Sequence, residues 1–272
     1  MLPTRSTRFI QKSLLLLLTL ATALAASAAE KTLSPAEQTK LLQSILDRTA
    51  QAAAAGKSPA AAFDIDDTLM RTSPRTKAIL LEFAGKHGER FPGLLERVSR
   101  LDPLTGPHGI VPTLEFLGIT TDEQKTEIKK YWLPRFLGND YLTFDWPIPG
   151  ALAFVQALRE KGATIYYITA RSPERMMEGT KKALVHFGFP LDARAILAMN
   201  DTHKPAPEFK GKRTEAIGKT HELTGLFENE PDNLNAMHRA ATAAQAVFID
   251  TVKSPAAGPV DSGIPWIKDY KR

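Results

Sequence analysis

The sequence contains no cysteine, so its fold cannot depend on disulfide bonds, even in an oxidising compartment. Its histidines lack the spacing of a zinc site, and His221-Glu222 is not part of an HExxH metalloprotease motif. We find no internal repeat, low-complexity tract or long linker after residue 28. These absences leave an ordinary globular chain whose chemistry must come from other side chains.

The first 28 residues have the order of a secretory signal. Arg5, Arg8 and Lys12 precede an apolar run that extends to Leu24, and small residues follow at 26–29. An uncleaved membrane anchor is the alternative, but the run is short for a span of roughly 20 residues. No cysteine follows it, which excludes lipid attachment there. We predict a cleaved signal over residues 1–28, a periplasmic or secreted protein, and no stable membrane association after cleavage.

Little excess positive charge remains once the signal is removed. Residues 1–28 hold three basic and no acidic side chains, and subtracting these three from the formal net charge of +5 leaves +2. The sequence pI of 9.3 is therefore not the footprint of a nucleic-acid-binding surface, and we predict no nucleic-acid partner. Residues 29–272 are enough for one large domain, or for a core with a smaller inserted one.

Predicted strands and helices alternate in the second half of the chain. The strands are 163–169, 194–199, 223–227 and 246–250, and the helices are 150–160, 173–187, 212–220 and 231–243. This alternation predicts βαβ units, and hence an α/β fold with a Rossmann-like parallel sheet flanked by helices.

Residues 71–147 interrupt that alternation. They show helical patterning without a convincing strand, and we interpret them as an inserted α-helical cap after the first strand motif. The core would then comprise residues 29–70 and 148–272. We expect the aromatic side chains of the insert to form its interior: Trp132, Phe136, Tyr141 and Trp146.

The most informative stretch is Phe63-Asp64-Ile65-Asp66-Asp67-Thr68-Leu69, where a short apolar run gives way to acid. Such a run fits a buried strand, and ligands of open α/β sheets bind at the carboxyl ends of strands. One aspartate could attack phosphorus while the other moves a proton, since aspartyl-phosphates are established covalent intermediates. The alternative is a solvated acidic turn.

Two further strand ends carry polar residues. Thr169 ends the strand 163–169 and Arg171 follows it, just before a predicted helix, where a hydroxyl and free backbone N–H groups suit a phosphate oxygen. Glu228 and Asp232 follow the strand 223–227 and could offer hard oxygen ligands to one Mg²⁺ ion. Helix capping and complementation of the helix dipole are the alternatives for these two sites.

In this order, the residues resemble the haloacid dehalogenase superfamily of phosphohydrolases. Its first motif, DxDx[TV], matches Asp64 to Thr68, its second places Thr or Ser at Thr169, and its fourth matches Glu228 and Asp232. The resemblance covers roughly residues 58–252. FDIDDTL followed by MRTSP, together with the signal peptide, also resembles secreted class B acid phosphatases, whose fourth motif normally has Asp after Gly where this chain has Phe227-Glu228-Asn229.

The resemblance implies a role for each residue. Asp64 would be the nucleophile and Asp66 the general acid and base, while Thr169 would bind a phosphoryl oxygen. Mg²⁺ would be held by Asp64, the Asp66 backbone carbonyl and Glu228, with or without Asp232. A third-motif lysine would be Lys210 or Lys212, and the apolar Phe209 before Lys210 favours Lys210.

The resemblance thus predicts an Mg²⁺-dependent phosphomonoesterase that acts on a small phosphorylated substrate. The alternative is a catalytically weak relative that binds a phosphorylated ligand or a protein partner.

Overall fold

The structure is a computed structural model that describes residues 32–107 and 109–272. The predicted signal peptide lies outside the described residues.

A six-stranded sheet forms the centre of the molecule, with strand order β5-β4-β1-β6-β7-β8. Every neighbouring pair in it is parallel. The six strands are β1 (Pro59–Phe63), β4 (Thr164–Thr169), β5 (Ala195–Met199), β6 (Glu222–Glu228), β7 (Gln245–Ile249) and β8 (Trp266–Ile267). The predicted parallel α/β architecture is confirmed, and the four strands predicted in the second half each agree to within one residue.

Nine α-helices lie in the described ranges. They are α1 (Pro35–Ala54), α2 (Ser73–Lys86), α3 (Leu94–Arg100), α4 (Ile110–Phe116), α5 (Asp122–Phe136), α6 (Ala151–Glu160), α7 (Pro173–His186), α8 (Ala206–Gly218) and α9 (Pro231–Ala240). Helix α8 begins six residues before the predicted start at 212, because Pro207 occupies its first turn, where proline is favoured. None of the helices in this part of the chain is both long and apolar enough to cross a bilayer.

Strand β1 lies in the interior, and all five of its residues are buried. Alternate side chains pack on opposite faces of the sheet: Ala61 and Phe63 belong to one hydrophobic cluster, whereas Ala60 and Ala62 belong to another. The ring of Phe63 stacks on Phe227 of β6 at 4.4 Å between centroids. Burial on both faces explains why this strand shows a continuous apolar run instead of an alternating pattern, and it fixes the position of the acidic loop that follows.

Helices α2 to α5 and a short 3₁₀ helix, Leu142–Phe144, lie between β1 and α6. Two short strands at the ends of this segment, β2 (Met70–Arg71) and β3 (Trp146–Pro147), pair antiparallel. The segment has its own hydrophobic cluster, built on Leu80, Phe83, Phe91, Leu94, Leu114 and Ile128.

The expectation that four aromatic residues form the interior of the insert is wrong for Trp146, whereas Trp132 packs against the hydrophobic cluster of the insert. Trp146 is 47% exposed, because it lies on β3 at the edge of the insert. Trp132, Phe136 and Tyr141 are only partly buried.

Candidate active site

Three neighbouring strands bring the predicted acidic and hydroxyl groups to one edge of the sheet. Asp64 directly follows β1, Thr169 ends β4 and Glu228 ends β6, and β1 lies between the other two strands. The backbone N–H of Asp64 still donates to the Phe227 carbonyl at 3.0 Å, so the β1–β6 pairing positions Asp64 as well. All three side chains are buried.

The loop from Asp64 to Met70 is a tight turn around one carbonyl group. The backbone N–H groups of Thr68, Leu69 and Met70 all donate to the Ile65 carbonyl, at 3.3, 3.0 and 3.0 Å. Asp67 adopts the left-handed region with φ 54°, which Asp tolerates better than most residues. The carboxylate of Asp67 accepts hydrogen bonds from Thr72, and burial raises the pKa of Asp67 to about 7.

Lys210 links the two buried acids. Its Nζ donates to Asp64 Oδ1 and to Glu228 Oε2, both at 2.5 Å. Burial raises the pKa of Asp64 and that of Glu228, the latter to about 7, while the ammonium opposes part of each rise. Burial alone would lower the pKa of Lys210, but the two carboxylates outweigh it and raise that pKa. One positive charge therefore faces two acids in a water-poor site.

Asp66 accepts hydrogen bonds from two arginines. Its Oδ1 accepts from Arg75 at 2.9 Å and from Arg171 at 2.8 Å, and its Oδ2 accepts from Arg171 Nε at 2.8 Å. Burial would raise the pKa of Asp66, but the guanidinium groups of Arg171 and Arg75 outweigh it and hold that pKa well below its usual range. Asp66 is therefore ionised at neutral pH.

A second aspartate completes this group of charges. Asp145 accepts from Arg75 Nε at 2.7 Å and Arg75 Nη2 at 2.6 Å, and from Arg171 Nη2 at 3.1 Å. We call Asp66, Asp145, Arg75 and Arg171 the four-charge cluster. Two positive charges meet two negative ones, and all the side chains except that of Asp66 are at most 2% exposed. Asp66 is 35% exposed and forms the open face of the cluster.

The other sequence-predicted residues are placed as follows. Thr169 Oγ accepts from the Arg171 backbone N–H at 3.2 Å, and its hydroxyl donates to no partner among the described residues. Arg171 also donates to Thr180 at 3.1 Å, so four of its five side-chain N–H groups have protein partners. Lys212 is exposed and paired with Glu208 at 2.9 Å.

Asp232 differs from Asp64 and Glu228 in being exposed. Asp232 is exposed on the first turn of α9, and no described residue forms a hydrogen bond or ion pair with it. Glu228 is instead held by the backbone N–H groups of Asn229 and Glu230, at 3.1 and 3.0 Å, and by Lys210. Within residues 32–107 and 109–272, no group of three or more acidic or histidine side chains converges to hold a metal ion.

The donors that are present nevertheless suit Mg²⁺. This ion commonly binds through one or two carboxylates together with substrate phosphate oxygens and water, and does not require a cage made only of protein ligands. Asp64 and Glu228 are two buried carboxylates that share a single ammonium, so their negative charge is incompletely balanced. The chemistry of this donor set therefore fits a divalent cation without Asp232.

Several hydrogen bonds that the sequence analysis did not predict hold the loop from Asp64 to Met70 in place. Thr68 Oγ donates to Asn229 Oδ1 at 2.9 Å, and the Asn229 side-chain amide donates to the Val252 carbonyl. Thr251 Oγ donates to the Asp67 carbonyl at 2.5 Å. The loop after β7 thus connects to the loop after β1.

The sequence analysis also did not identify Arg75 and Asp145 as site residues. They are separated by 70 positions in the sequence, and each lies in a segment with no recognisable motif. Only their complementary charges could have hinted at a pair.

A cavity of about 190 Å³ lies in the insert, beside the start of α2, where Thr72, Ser73 and Thr76 line it. Trp132 and Phe136 line it, and their rings stack at 4.4 Å between centroids. Its hydroxyl groups already have partners: Ser73 donates to the Pro103 carbonyl, Thr113 donates to the Gly109 carbonyl, and Thr76 accepts from the Trp132 indole. The cavity therefore offers an apolar surface more than hydrogen bonds.

One family model matches the chain. Residues 143–255 match the model described as HAD superfamily, subfamily IIIB (acid phosphatase). The match includes Asp145, Thr169, Arg171, Lys210 and Glu228. It begins at residue 143 and therefore does not include Asp64 or Asp66.

Known proteins with similar sequences or structures include phosphatases. A Bacillus cereus protein provisionally named a nucleotidase is 36% identical over 91 residues, which cover 33% of this chain and 45% of that protein. The chain thus spans less than half of that curated relative. A class C acid phosphatase from Bacillus anthracis with tungstate bound covers 77% of this chain and 73% of its own, at 20% identity and a TM-score of 0.41. CbbY from Rhodobacter sphaeroides in complex with phosphate covers 79% and 95%, at 15% identity and a TM-score of 0.45. Because both TM-scores are below 0.5, these two structures give no information about the substrate or the activity of this chain.

Proposed function

The chain belongs to the haloacid dehalogenase superfamily, and we propose that it is a phosphomonoesterase that forms an aspartyl-phosphate on Asp64. The observation that carries the proposal is the buried contact between Lys210 and the Asp64 carboxylate, at the carboxyl edge of the central strands. A lysine held against a nucleophilic carboxylate is positioned to neutralise the charge of an incoming phosphoryl group.

In the first step an Asp64 carboxylate oxygen attacks phosphorus while the ester P–O bond breaks, and the leaving oxygen takes a proton from Asp66. In the second step water attacks the acyl-phosphate and loses a proton to Asp66, which releases phosphate and regenerates Asp64. Thr169, whose hydroxyl has no described acceptor, donates to a phosphoryl oxygen. Asp66 lies two residues from the nucleophile, on the partly exposed face of the four-charge cluster.

The proton for the leaving group enters with the substrate. Because Arg171 and Arg75 lower the pKa of Asp66, its carboxylate is ionised in the free protein. A phosphate monoester has a second pKa of about 6, so below that pH its monoanion brings the proton that Asp66 transfers. We therefore expect hydrolysis of esters with poor leaving groups to decline above about pH 6, which agrees with an acid phosphatase.

We propose Mg²⁺ as the cofactor. Asp64, Glu228 and the Asp66 backbone carbonyl would hold it, and the ion would supply positive charge that offsets the negative charge of the nucleophile and of the phosphoryl group. The Lys210 ammonium would keep the two carboxylates from repelling each other, and the backbone N–H groups of Asn229 and Glu230 orient Glu228.

The substrate is a small phosphate ester, and the cavity in the insert suggests an apolar group as part of it. A cavity of about 150 Å³ lined by apolar side chains binds benzene in another protein, so the cavity beside Trp132 has room for one ring. Phe136 links it to the acidic site, because its ring lies 4.4 Å from the Arg75 guanidinium. Aryl phosphates are therefore suitable test substrates.

The decisive experiment compares Asp64→Asn with Asp47→Asn, which changes an exposed acid on α1. We expect Asp64→Asn to abolish hydrolysis of 4-nitrophenyl phosphate while the melting temperature stays near that of the parent, because an amide cannot form the acyl-phosphate. Asp47→Asn should retain full turnover. Normal activity in a folded Asp64→Asn variant would refute the covalent mechanism. Phosphate binding without turnover in the parent would instead favour a ligand-binding relative.

We also propose that the protein acts outside the cytoplasm, in the periplasm or as a secreted protein, on the charged, apolar and small-residue order of residues 1–28. Cell fractionation with N-terminal sequencing of the mature chain tests this. An intact N-terminus on a cytoplasmic protein would contradict it.

A further inference from the structure

The Asp66 carboxylate has one hydrogen-bonding position left. A carboxylate offers about two acceptor positions on each oxygen. Both positions of Oδ1 are used, by Arg75 and Arg171, whereas Oδ2 accepts only from Arg171 Nε among the described residues. The arginines therefore distinguish two oxygens that are chemically equivalent in a free carboxylate.

Asp145 determines where the two arginines lie. It accepts two hydrogen bonds from Arg75, from Nε and Nη2, and a third from Arg171 Nη2. Arg75 is further fixed by its Nη1, which donates to the Phe136 carbonyl at 2.9 Å, and by the Phe136 ring beneath its guanidinium. Asp145 is fully buried and Arg75 is 1% exposed, so moving either side chain would break buried hydrogen bonds.

We propose that Arg75 and Asp145 are positioning residues for proton transfer: they fix the Asp66 carboxylate so that Oδ2 alone exchanges the proton with the leaving group and with water. This inference rests on the proposed phosphatase function. Both residues belong to the segment 71–147, so the insert supplies part of the catalytic arrangement. Neither residue touches the phosphoryl group, and their effect is exerted through Asp66.

Two substrates of similar size separate a positioning role from a general structural one. Phenyl phosphate releases a poor leaving group that needs a proton, whereas 4-nitrophenyl phosphate releases a stabilised phenolate that needs little help. Arg75→Lys keeps the charge but loses the planar fork that reaches Asp145 and Asp66 together. Misplacement of a catalytic group by about 1 Å can cost roughly a hundredfold. We expect kcat/KM for phenyl phosphate to fall at least about tenfold more than kcat/KM for 4-nitrophenyl phosphate, because kcat/KM reports the step that releases the leaving group and not the later attack of water, which is common to both substrates.

Arg135→Lys is the matched control. Arg135 also lies in the insert and packs over an aromatic ring, that of Tyr131, but it makes no contact with the four-charge cluster among the described residues. We expect it to leave both kcat/KM values unchanged. Asp145→Asn removes the charge with little change of shape, and it should also lower activity on phenyl phosphate more than activity on 4-nitrophenyl phosphate. It replaces Arg75→Lys in the test if that variant does not fold.

A double-mutant comparison completes the test. In an Asp66→Asn background the proton-transfer group is already gone, so adding Arg75→Lys or Asp145→Asn should not change the ratio of the two kcat/KM values further. An equal loss on both substrates, an unchanged ratio in the single variants, or a further selective loss in the Asp66→Asn background would each overturn the positioning role. If the parent protein hydrolyses neither substrate, it is the proposed function that fails.

Discussion

Lys210 lies 2.5 Å from the nucleophile candidate Asp64, in a site that excludes most water. Only two positions along the same helix, Lys212 is exposed and pairs with Glu208. This difference follows from the position of α8, which begins at Ala206 and directs residue 210 toward the sheet. The two lysines therefore form a natural pair for comparison.

We expect Lys210→Ala to reduce turnover by on the order of a hundredfold or more, the scale of losing one preorganised charge-stabilising donor. Lys212→Ala should have little effect, because its ammonium is solvated. Steady-state kinetics with 4-nitrophenyl phosphate, together with melting temperatures, measure both. If Lys212→Ala proved the more damaging of the two folded variants, Lys210 would not be the lysine that stabilises the phosphoryl charge.

A chelator should abolish activity, and added Mg²⁺ should restore it. Glu228→Gln removes one of two buried carboxylates and should sharply raise the Mg²⁺ concentration needed for half-maximal activity. Asp232→Asn changes an exposed acid of the same motif and should have a much smaller effect. Isothermal titration calorimetry of Mg²⁺ on each variant gives a second readout that does not depend on turnover.

Two outcomes would contradict the metal assignment. One is full activity of the parent protein in excess chelator. The other is a stronger effect of Asp232→Asn than of Glu228→Gln on Mg²⁺ binding, which would place the cation on the exposed side of α9.

The metal-free protein should become less stable as pH rises from 5 to 8. Burial raises the pKa of Asp67 and that of Glu228 to about 7, from ordinary values of 3.8 and 4.5. In this range the unfolded chain binds fewer protons than the folded one, so the free energy of unfolding falls with pH. The stabilising contribution is complete below about pH 4 and is lost as pH passes about 7. Asp66, whose pKa is lowered, acts in the opposite direction only below about pH 4.

Asp67→Asn isolates one of the two groups. Asparagine tolerates the left-handed backbone that residue 67 adopts, and it resembles the protonated acid. We expect the variant to be more stable than the parent at pH 8, by a margin that shrinks as pH falls and disappears at about pH 4. Urea denaturation at several pH values provides the measurement. Parallel stability curves for variant and parent would show that Asp67 is not responsible.

The fold and part of the site could be read from the sequence, because their signals are local. The apolar run before Asp64 predicts a buried strand, and the alternation of strands and helices after residue 148 predicts the parallel sheet that the structure shows. Parallel strands place their carboxyl ends at one edge, so Asp64, Thr169 and Glu228 could be grouped without any coordinates.

The pairing of charges could not be read in this way. Arg75 and Asp145 form their contact across 70 positions of the insert, and nothing in the sequence near either residue indicates a buried ion pair. The exposure of Asp232 could not be read from the sequence either. Glu228 ends β6 and Asp232 lies on the first turn of α9, so a spacing of four residues does not fix how the two side chains lie relative to each other.

The antiparallel pair of β2 and β3 brings the two ends of the insert side by side, which is the geometry that would let one cap be exchanged for another by recombination. The buried arginine and aspartate that the insert contributes restrict that freedom. A donor segment that lacked both would leave Asp66 facing Arg171 alone, while a donor with only one would bury an uncompensated charge next to the catalytic loop. Engineers who graft a new specificity onto this scaffold should therefore carry Arg75 and Asp145 over as a pair, and natural diversification of the cap should be confined to the surface that these two residues leave untouched.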